Sequence, residues 1–334
     1  MVSRDNSIDF FKGLTVLSIV FIHTVWWSGQ TYVPNLVAQC SLLFDVPVFF
    51  FLSGASAVFT FSKPNPFSGI VRMVGVFVFV FCLYALIFER DKLLEFLFRS
   101  SFIHFPWVPQ MEVLSSSMWF VPVLFLVYII GFITVKLIED KRIQLSMCAA
   151  LLLLLNQYDY LSYLSSIQIF GVTPDYIFAY LFFFLSGYIF YQHYRDNEKV
   201  WWFAIFSFCL SLMICIFYFY AEPFNLQQYK FPPRLKYVIC SFLSISIIIF
   251  FFKRVKKVSI LQYLSRQAIF FYAAQGISSG WMYYLLPHLR MFWPVKLLII
   301  LIVNIIVTII LARFLSELYR IFFRSVDGLI SLWK

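Results

Sequence analysis

The chain has 334 residues, of which 62% are hydrophobic, 22% are aromatic and only 13% are charged. A soluble domain averages about 25% charged residues, so this composition and its repeated long apolar runs exclude a water-soluble fold. Basic loops of a membrane protein account for the net charge of +10, and nucleic acid is not expected as a partner.

The few cysteines and histidines indicate neither a disulfide framework nor a metal site. The six cysteines lie mostly inside apolar runs and form no CxxC pair, and the four histidines lack ligand spacing. The first apolar run is not followed by a small-residue cleavage site, so no cleavable signal peptide is expected.

Hydropathy predicts an all-α, polytopic membrane protein with about ten transmembrane helices. The predicted spans are 8–27, 37–60, 69–88, 118–138, 143–158, 175–194, 199–221, 235–252, 259–286 and 295–318. The ninth span contains Gly276 and Gly280, so we expect it to be kinked or partly re-entrant. Most of the 26 Lys and Arg residues then lie on one side, which predicts cytoplasmic N- and C-termini.

The longest connections between these spans are 89–117 and 222–234. The first mixes charged residues with Phe96, Phe98, Phe102 and Trp107, a pattern typical of an amphipathic segment at the membrane interface. Neither connection could hold a soluble domain. We therefore expect residues 1–334 to form a single membrane-embedded domain with no appended soluble domain.

The first span carries ionisable residues where a membrane helix should carry none: Asp9, Lys12 and His23. Such groups are costly in a bilayer and usually functional. Lys12 and His23 are eleven residues apart, so they project from one helix face about 16 Å apart. An imidazole can act as a general base near neutral pH; the alternative is a histidine at a helix end bound to a backbone carbonyl or a headgroup.

Asp45 in the second span could orient the His23 imidazole as a carboxylate does in a catalytic triad. The alternative is a helix cap just before Pro47. Ser53 follows a run of phenylalanines, where packing competes with a hydrogen-bonding role. The hexapeptide FFFLSG occurs at 49–54 and 182–187 in spans that run in the same direction, which would permit parallel repeats. With 44 phenylalanines in the chain, coincidence remains the alternative.

Basic and aromatic residues mark the next two spans. Arg72 and Lys12 at cytoplasmic ends suit a phosphorylated ligand, with membrane anchoring by snorkelling as the alternative. Trp119 at the start of the fourth span fits an interfacial aromatic belt or a sugar-stacking site. Ser265, Tyr272 and Gln275 add polarity to the ninth span without an assigned role.

Together these residues resemble acyltransferase family 3, the integral-membrane acyltransferases that modify bacterial surface glycans. Lys12, ten residues and then His23 match the first-span pattern of the family, as do Asp9 and Gly13 around them. Residues 46–54 (VPVFFFLSG) and the pair Trp119-Phe120 are similar to two further family elements. The chain departs from the family at Gln275, where members often have a histidine.

The resemblance implies transfer of an acyl group, by default acetyl, from cytoplasmic acetyl-CoA to a hydroxyl of a cell-surface or lipid-linked glycan in the bacterial inner membrane. It implies His23 and Asp45 as catalytic residues. The donor would be bound by Lys12, Arg72 and Asp9.

The resemblance also implies that Ser53 and Trp119 contact the acceptor glycan. Membrane lipids are further expected partners, and no metal is implied. Direct transfer and an acyl-histidine intermediate remain open. The rival interpretation is a multispan transporter or glycan flippase whose buried charges line a substrate or proton path.

Overall fold

The computed structural model describes residues 5–27, 32–101, 112–156, 168–197, 199–220 and 224–332. Most of these residues are helical, with no named strand among them and an isolated antiparallel bridge between Ile169 and Val172. The helices are α1 (Asn6–Trp26), α2 (Asn35–Ser41), α3 (Val46–Thr60), α4 (Ser68–Phe88), α5 (Leu93–Ser101), α6 (Glu112–Ser117), α7 (Phe120–Leu137), α8 (Lys141–Asn156), α9 (Pro174–Ile189), α10 (Val200–Phe219), α11 (Leu235–Phe251), α12 (Ser259–Arg266), α13 (Ala268–Leu285) and α14 (Trp293–Leu332).

Within the described part of the chain, six helical segments are long and apolar enough to cross a membrane. They are Asn6–Trp26, Asn35–Thr60, Ser68–Phe88, Phe120–Leu137, Val200–Phe219 and Trp293–Phe323. The all-α, multispan architecture is therefore confirmed. The count of ten spans and the cytoplasmic position of both termini stay predictions.

The second predicted span, 37–60, is interrupted rather than continuous. A 3-10 turn, Leu42–Phe44, follows α2, and Asp45 then adopts an extended conformation with φ −122° and ψ −159° before α3 begins. Pro47 lies in the first turn of α3, a position where its missing N–H costs nothing. The proline thus fits the start of a new helix better than the middle of a long one.

The ninth predicted span, 259–286, is interrupted as expected, but at Gln267 and not at its glycines. Gln267 leaves the helical conformation, with φ −107° and ψ 16°, and α13 then continues through Gly276 and Gly280. A Cβ at Gly276 would lie 2.8 Å from the Cα of Leu114. This glycine therefore serves the close approach of α6 to α13 and not a kink.

The connection 89–117 contains helix α5, as its amphipathic pattern predicts. Leu94 and Phe98 on this helix are exposed while Phe96 is buried. Phe102 and Trp107 of the same prediction lie outside the described residues. The last two residues of the fifth predicted span, 157–158, also lie outside them.

The chain divides into two compact units. The first consists of Met1–Ser18, Pro34–Ile70 and Pro122–Ser265, and the second consists of Ile19–Val33, Val71–Val121 and Arg266–Lys334. Helices α1, α4, α7 and α12 contribute residues to both units.

The two FFFLSG copies pack against each other in the first unit, on α3 and α9. From Phe50 to Phe59 along α3, the ring partner moves from Tyr180 on α9 to Tyr191 in the π-helical turn that follows α9, with centroids 4.5 and 5.1 Å apart. The two copies therefore run in the same direction, as the sequence predicts.

The contact between the two copies is reciprocal at their glycines. A Cβ at Gly54 would overlap the carbonyl oxygen of Phe184, and a Cβ at Gly187 would overlap that of Phe51. Each copy thus places its glycine against the third phenylalanine of the other. Small residues let membrane helices approach this closely, so the repeat has a structural role in helix packing.

Helices α10 and α14 expose large apolar side chains. Only Ala204, Ser211 and Cys215 of α10 are buried. Exposed residues on the two helices include Phe203, Phe206, Met213, Phe217, Ile302, Ile306, Ile310 and Phe314. Such continuous apolar surface is what a lipid-facing helix presents.

Candidate active site

The N-terminal half of α1, in the first unit, is docked on α12. The buried Asp9 accepts a hydrogen bond at Oδ1 from Ser265 Oγ, at 2.9 Å. A Cβ at Gly13 would overlap the carbonyl oxygen of Leu261. Lys12 lies between these two contacts on α1 and is half-buried. Ser265 thus acquires a role in fixing the segment that carries Lys12.

Asp45, also in the first unit, belongs to a buried ion pair. Its Oδ2 lies 2.6 Å from Lys230 Nζ and accepts a hydrogen bond from Tyr237 Oη at 2.8 Å. The three side chains are at most 9% exposed. Asp45 precedes α3 but makes no side-chain cap hydrogen bond, so it does not cap that helix. Its predicted role as the partner of His23 stays a prediction.

Ser53 lies on α3 beside Gly54, in the segment that packs against α9. Its side chain is half-buried. The close helix contact in this segment is made by the neighbouring glycine. A substrate contact by Ser53 stays a prediction.

His23 lies in the last turn of α1, in the second unit, and is only 9% exposed. Its ring centroid is 6.5 Å from that of Trp27. The next residue, Thr24, donates a hydrogen bond from Oγ1 to the carbonyl oxygen of Val20 at 2.7 Å and accepts one from Asn304 Nδ2 at 2.8 Å. The end of α1 is therefore held to α14 at the residue adjacent to the candidate base.

Asn304 is the centre of a buried polar network in the second unit. Its Nδ2 also donates to Ser279 Oγ at 3.0 Å, and its Oδ1 accepts from Ser278 Oγ at 2.6 Å. The hydroxyls of Ser278 and Thr308 are 2.7 Å apart. Because every polar atom of the Asn304 side chain is hydrogen-bonded, the network can fix α1, α13 and α14 without an unsatisfied amide.

Arg72 and Trp119 also belong to the second unit. Arg72 is exposed near the start of α4, and its guanidinium carbon is 6.0 Å from the centroid of the Phe270 ring on α13. Trp119 is half-buried in the turn before α7. Phe120, which begins α7, contacts Tyr272 with ring centroids 4.0 Å apart.

Gln275, which lies on α13 between Phe270 and Ser279, is one of the three residues to which the sequence assigned no role. It is 1% exposed, and neither its Oε1 nor its Nε2 has a hydrogen-bond partner among the described residues. Its neighbour Tyr272 differs, because the Tyr272 hydroxyl donates to the carbonyl oxygen of Ser117 at 2.8 Å.

A family model described as an acyltransferase domain matches residues 5–313 of this chain. The chain belongs to acyltransferase family 3. The match covers nearly the whole chain and includes all the predicted site residues, so the resemblance is confirmed. No curated protein and no solved structure matches the chain.

Membership of acyltransferase family 3 makes this multispan membrane protein an acyltransferase and favours the enzyme over the transporter. Within this acyltransferase, the second unit contains His23, Arg72 and Trp119, whereas the first contains Asp9, Lys12, Asp45 and Ser53.

Sequence reasoning missed the Asn304 network of this acyltransferase. A signal was present, because Asn304 and Thr308 are polar residues one helical turn apart in an apolar helix. Lys230 gave no comparable signal, since it lies in a loop with other charged residues.

Proposed function

We propose that this acyltransferase transfers an acyl group, with acetyl as the expected group, from cytoplasmic acyl-CoA to a hydroxyl of a cell-surface or lipid-linked glycan. The proposed location is the bacterial inner membrane. The proposal rests on the position of His23, whose imidazole is buried on an apolar membrane helix within the matched acyltransferase region.

The chemistry requires a group that accepts a proton from the acceptor hydroxyl. In direct transfer, His23 takes this proton, the hydroxyl oxygen forms a bond to the thioester carbonyl carbon, and the C–S bond breaks. The proton held by His23 then neutralises the departing thiolate. In the relay alternative, an imidazole nitrogen of His23 attacks the thioester carbonyl carbon, the C–S bond breaks, and the departing thiolate takes the proton of the other ring nitrogen. The acceptor hydroxyl then attacks the acyl-imidazole, the C–N bond breaks, and the hydroxyl proton passes to the released imidazole.

Positioning supports this role for His23. Thr24 is tied to Asn304, and a base that is fixed before the substrate arrives loses less entropy in the reaction. Burial also limits the water that would hydrolyse the thioester.

The donor's phosphates need cationic partners. Arg72 is exposed near the start of α4, and Lys12 is half-buried on α1. We assign the phosphates of CoA to these two side chains, because guanidinium and ammonium groups pair well with phosphate. Asp9 has a supporting part here, since it fixes the helix turn that carries Lys12. Ser53 and Trp119 remain the proposed acceptor contacts.

The test uses purified protein in detergent, radiolabelled acetyl-CoA and an extract of bacterial lipid-linked saccharides. Wild type should produce labelled saccharide, and His23→Ala should lower kcat by about 10²–10⁴-fold, the usual contribution of a general base. His288→Ala is the matched control, because His288 is an exposed histidine of the same unit.

Three results would contradict the proposal. Undiminished transfer by folded His23→Ala would remove His23 from the chemistry. An equal loss in His288→Ala would show a non-specific effect of histidine removal. Counterflow of unmodified saccharide in proteoliposomes, without acylation, would favour a transporter.

A further inference from the structure

Gln275 combines nearly complete burial with an unused hydrogen-bonding capacity. A primary amide can donate two hydrogen bonds and accept two, yet none is made by the Gln275 side chain among the described residues. Buried polar groups are normally paired, and an unpaired one reduces stability. A buried amide without hydrogen bonds is what a binding site contains when a ligand supplies the missing partners.

The polar groups near Gln275 along α13 already have partners. Ser278 and Ser279, three and four residues later, are bonded to Asn304. Tyr272, three residues earlier, is bonded to the carbonyl of Ser117. Gln275 therefore differs from these neighbours on its own helix face, each of which has a hydrogen bond to another residue.

The position of Gln275 relates it to both ends of the proposed reaction site. Phe270, which the Arg72 guanidinium contacts, lies five residues earlier on α13, or about 7.5 Å along the helix. In the other direction, Ser279 is four residues later and connects through Asn304 to Thr24, the neighbour of His23. Along α13, Gln275 therefore lies between Phe270, which contacts the proposed phosphate partner Arg72, and Ser279, which is linked through Asn304 to the residue beside His23.

We propose that the Gln275 amide binds the pantetheine arm of the acyl-CoA donor through that arm's own amide groups. This inference rests on the proposed function, because it assigns Gln275 to the same donor site. The pantetheine arm is slender and carries two secondary amides, each with one N–H and one C=O. The Gln275 Oε1 can accept from an N–H of the arm while its Nε2 donates to a C=O.

The surroundings of Gln275 favour the arm over the sugar acceptor. Phe271, one helical turn before Gln275, is apolar and buried, and the polar neighbours Tyr272, Ser278 and Ser279 are already hydrogen-bonded elsewhere. A saccharide would bring many hydroxyls into this environment and leave most of them unpaired, at a high cost. The arm brings few polar groups between apolar stretches, and these groups match one glutamine.

The test is the substitution Gln275→Met, which keeps the size of the side chain and removes both amide groups. The KM for acetyl-CoA should rise by about 5- to 100-fold, because the amides of the arm lose their partner in a buried site. Pantetheine should compete with acetyl-CoA in wild type, and its inhibition constant should rise by the same factor. The KM for the saccharide acceptor should not change.

Stability supplies a second readout that a structural role would not give. Without donor, Gln275→Met should unfold at the same temperature as wild type or higher, because the substitution removes an unpaired buried amide. The same measurements on Gln275→Ala, which adds no bulk, test the inference independently of how methionine fits. Gln144→Met is the matched control, since Gln144 is a buried glutamine of α8 in the first unit and should leave donor KM unchanged.

An unchanged donor KM, a failure of pantetheine to inhibit wild type, or a rise in acceptor KM alone would each overturn this inference. A lower melting temperature in both Gln275 variants would do so as well, because it would show a partner for the amide in the folded protein. If wild type transfers no acyl group from acetyl-CoA, the proposed function itself fails. If wild type transfers the acyl group and Gln275→Met has the same KM for acetyl-CoA, only the proposed contact between Gln275 and the donor is contradicted.

Discussion

The buried polar group around Asp45 in the first unit and Gln275 in the second differ in one respect that matters for function. Asp45 has Lys230 and Tyr237 within 2.8 Å, so its charge is compensated inside the protein. Gln275 is as deeply buried, but its amide has no hydrogen bond among the described residues.

Burial alone therefore does not identify a binding residue. A compensated polar group stabilises the fold or fixes its geometry, whereas an uncompensated one costs stability that a ligand can recover. By this criterion we interpret the Asp45 group as part of the scaffold and Gln275 as a ligand-binding residue.

The largest effect on stability is expected from breaking the Asp45–Lys230 pair. Lys230→Met would leave a buried carboxylate without its counter-charge, which typically costs about 3–5 kcal/mol. The double variant Asp45→Asn/Lys230→Met should recover most of this loss, because both charges are gone. Denaturant unfolding in detergent measures both values.

The kinetics of the double variant decide between scaffold and catalysis for Asp45. If Asp45 is scaffold, the double variant should keep the kcat of wild type. A fall in kcat comparable with that of His23→Ala would instead support the predicted role of Asp45 in orienting the imidazole.

A smaller loss of stability is expected at the crossing of the FFFLSG copies. Gly54→Ala would place a Cβ against the carbonyl oxygen of Phe184 and force the helices apart, at a cost of about 2–3 kcal/mol. Gly187→Ala should lower the free energy of unfolding by a similar amount. The double variant should lose less than the sum of the two single losses, because either substitution alone already separates the helices.

Gly69→Ala is the matched control for the crossing. Apart from the adjoining residues and backbone of its own helix, no described atom lies within 4 Å of a Cβ built at Gly69, so alanine there should stabilise α4 by about 0.5–1 kcal/mol. An equal destabilisation by Gly69→Ala and Gly54→Ala would show that the crossing has no special role.

In the second unit, Asn304→Leu should cost about 1–2 kcal/mol, since it leaves hydroxyl groups of the network without a partner. It should also lower kcat, because Thr24 loses the contact that holds the end of α1 beside His23. Thr308→Val removes only one hydroxyl from the network and should affect both quantities less. Unaltered kcat in folded Asn304→Leu would argue against a positioning role.

The smallest effect is expected at Arg72, which is exposed and therefore screened by solvent. Arg72→Ala should raise the KM for acetyl-CoA by about three- to tenfold with little change in kcat, as expected for a solvent-exposed ionic contact with phosphate. The effect should diminish as salt is added. A donor KM that stays constant at low salt would remove Arg72 from the donor site.

Local information was enough to predict the helical architecture and the first candidate residues. Asp9, Lys12 and His23 are conspicuous because an apolar run contains them, and helix geometry alone places Lys12 and His23 on one face. The interruption at Asp45 also had a local signal in Pro47. The break at Gln267 had none, because neither glycine nor proline marks that position.

Long-range pairing could not be predicted in the same way. Asp45 meets Lys230 and Thr24 meets Asn304 across most of the chain, and a sequence does not state which distant polar groups meet. For the same reason the polarity of Gln275 was visible in the sequence, but the absence of a hydrogen bond to its amide among the described residues was not. That distinction depends on the packed structure.

The most direct test of the account is a cryo-electron microscopy structure of the protein with a non-hydrolysable thioether analogue of acetyl-CoA. We predict density for the sulfur and acyl group beside His23, with the pantetheine arm against Gln275. Density for the analogue against Lys230 and Asp45, with none near His23 and Gln275, would contradict it.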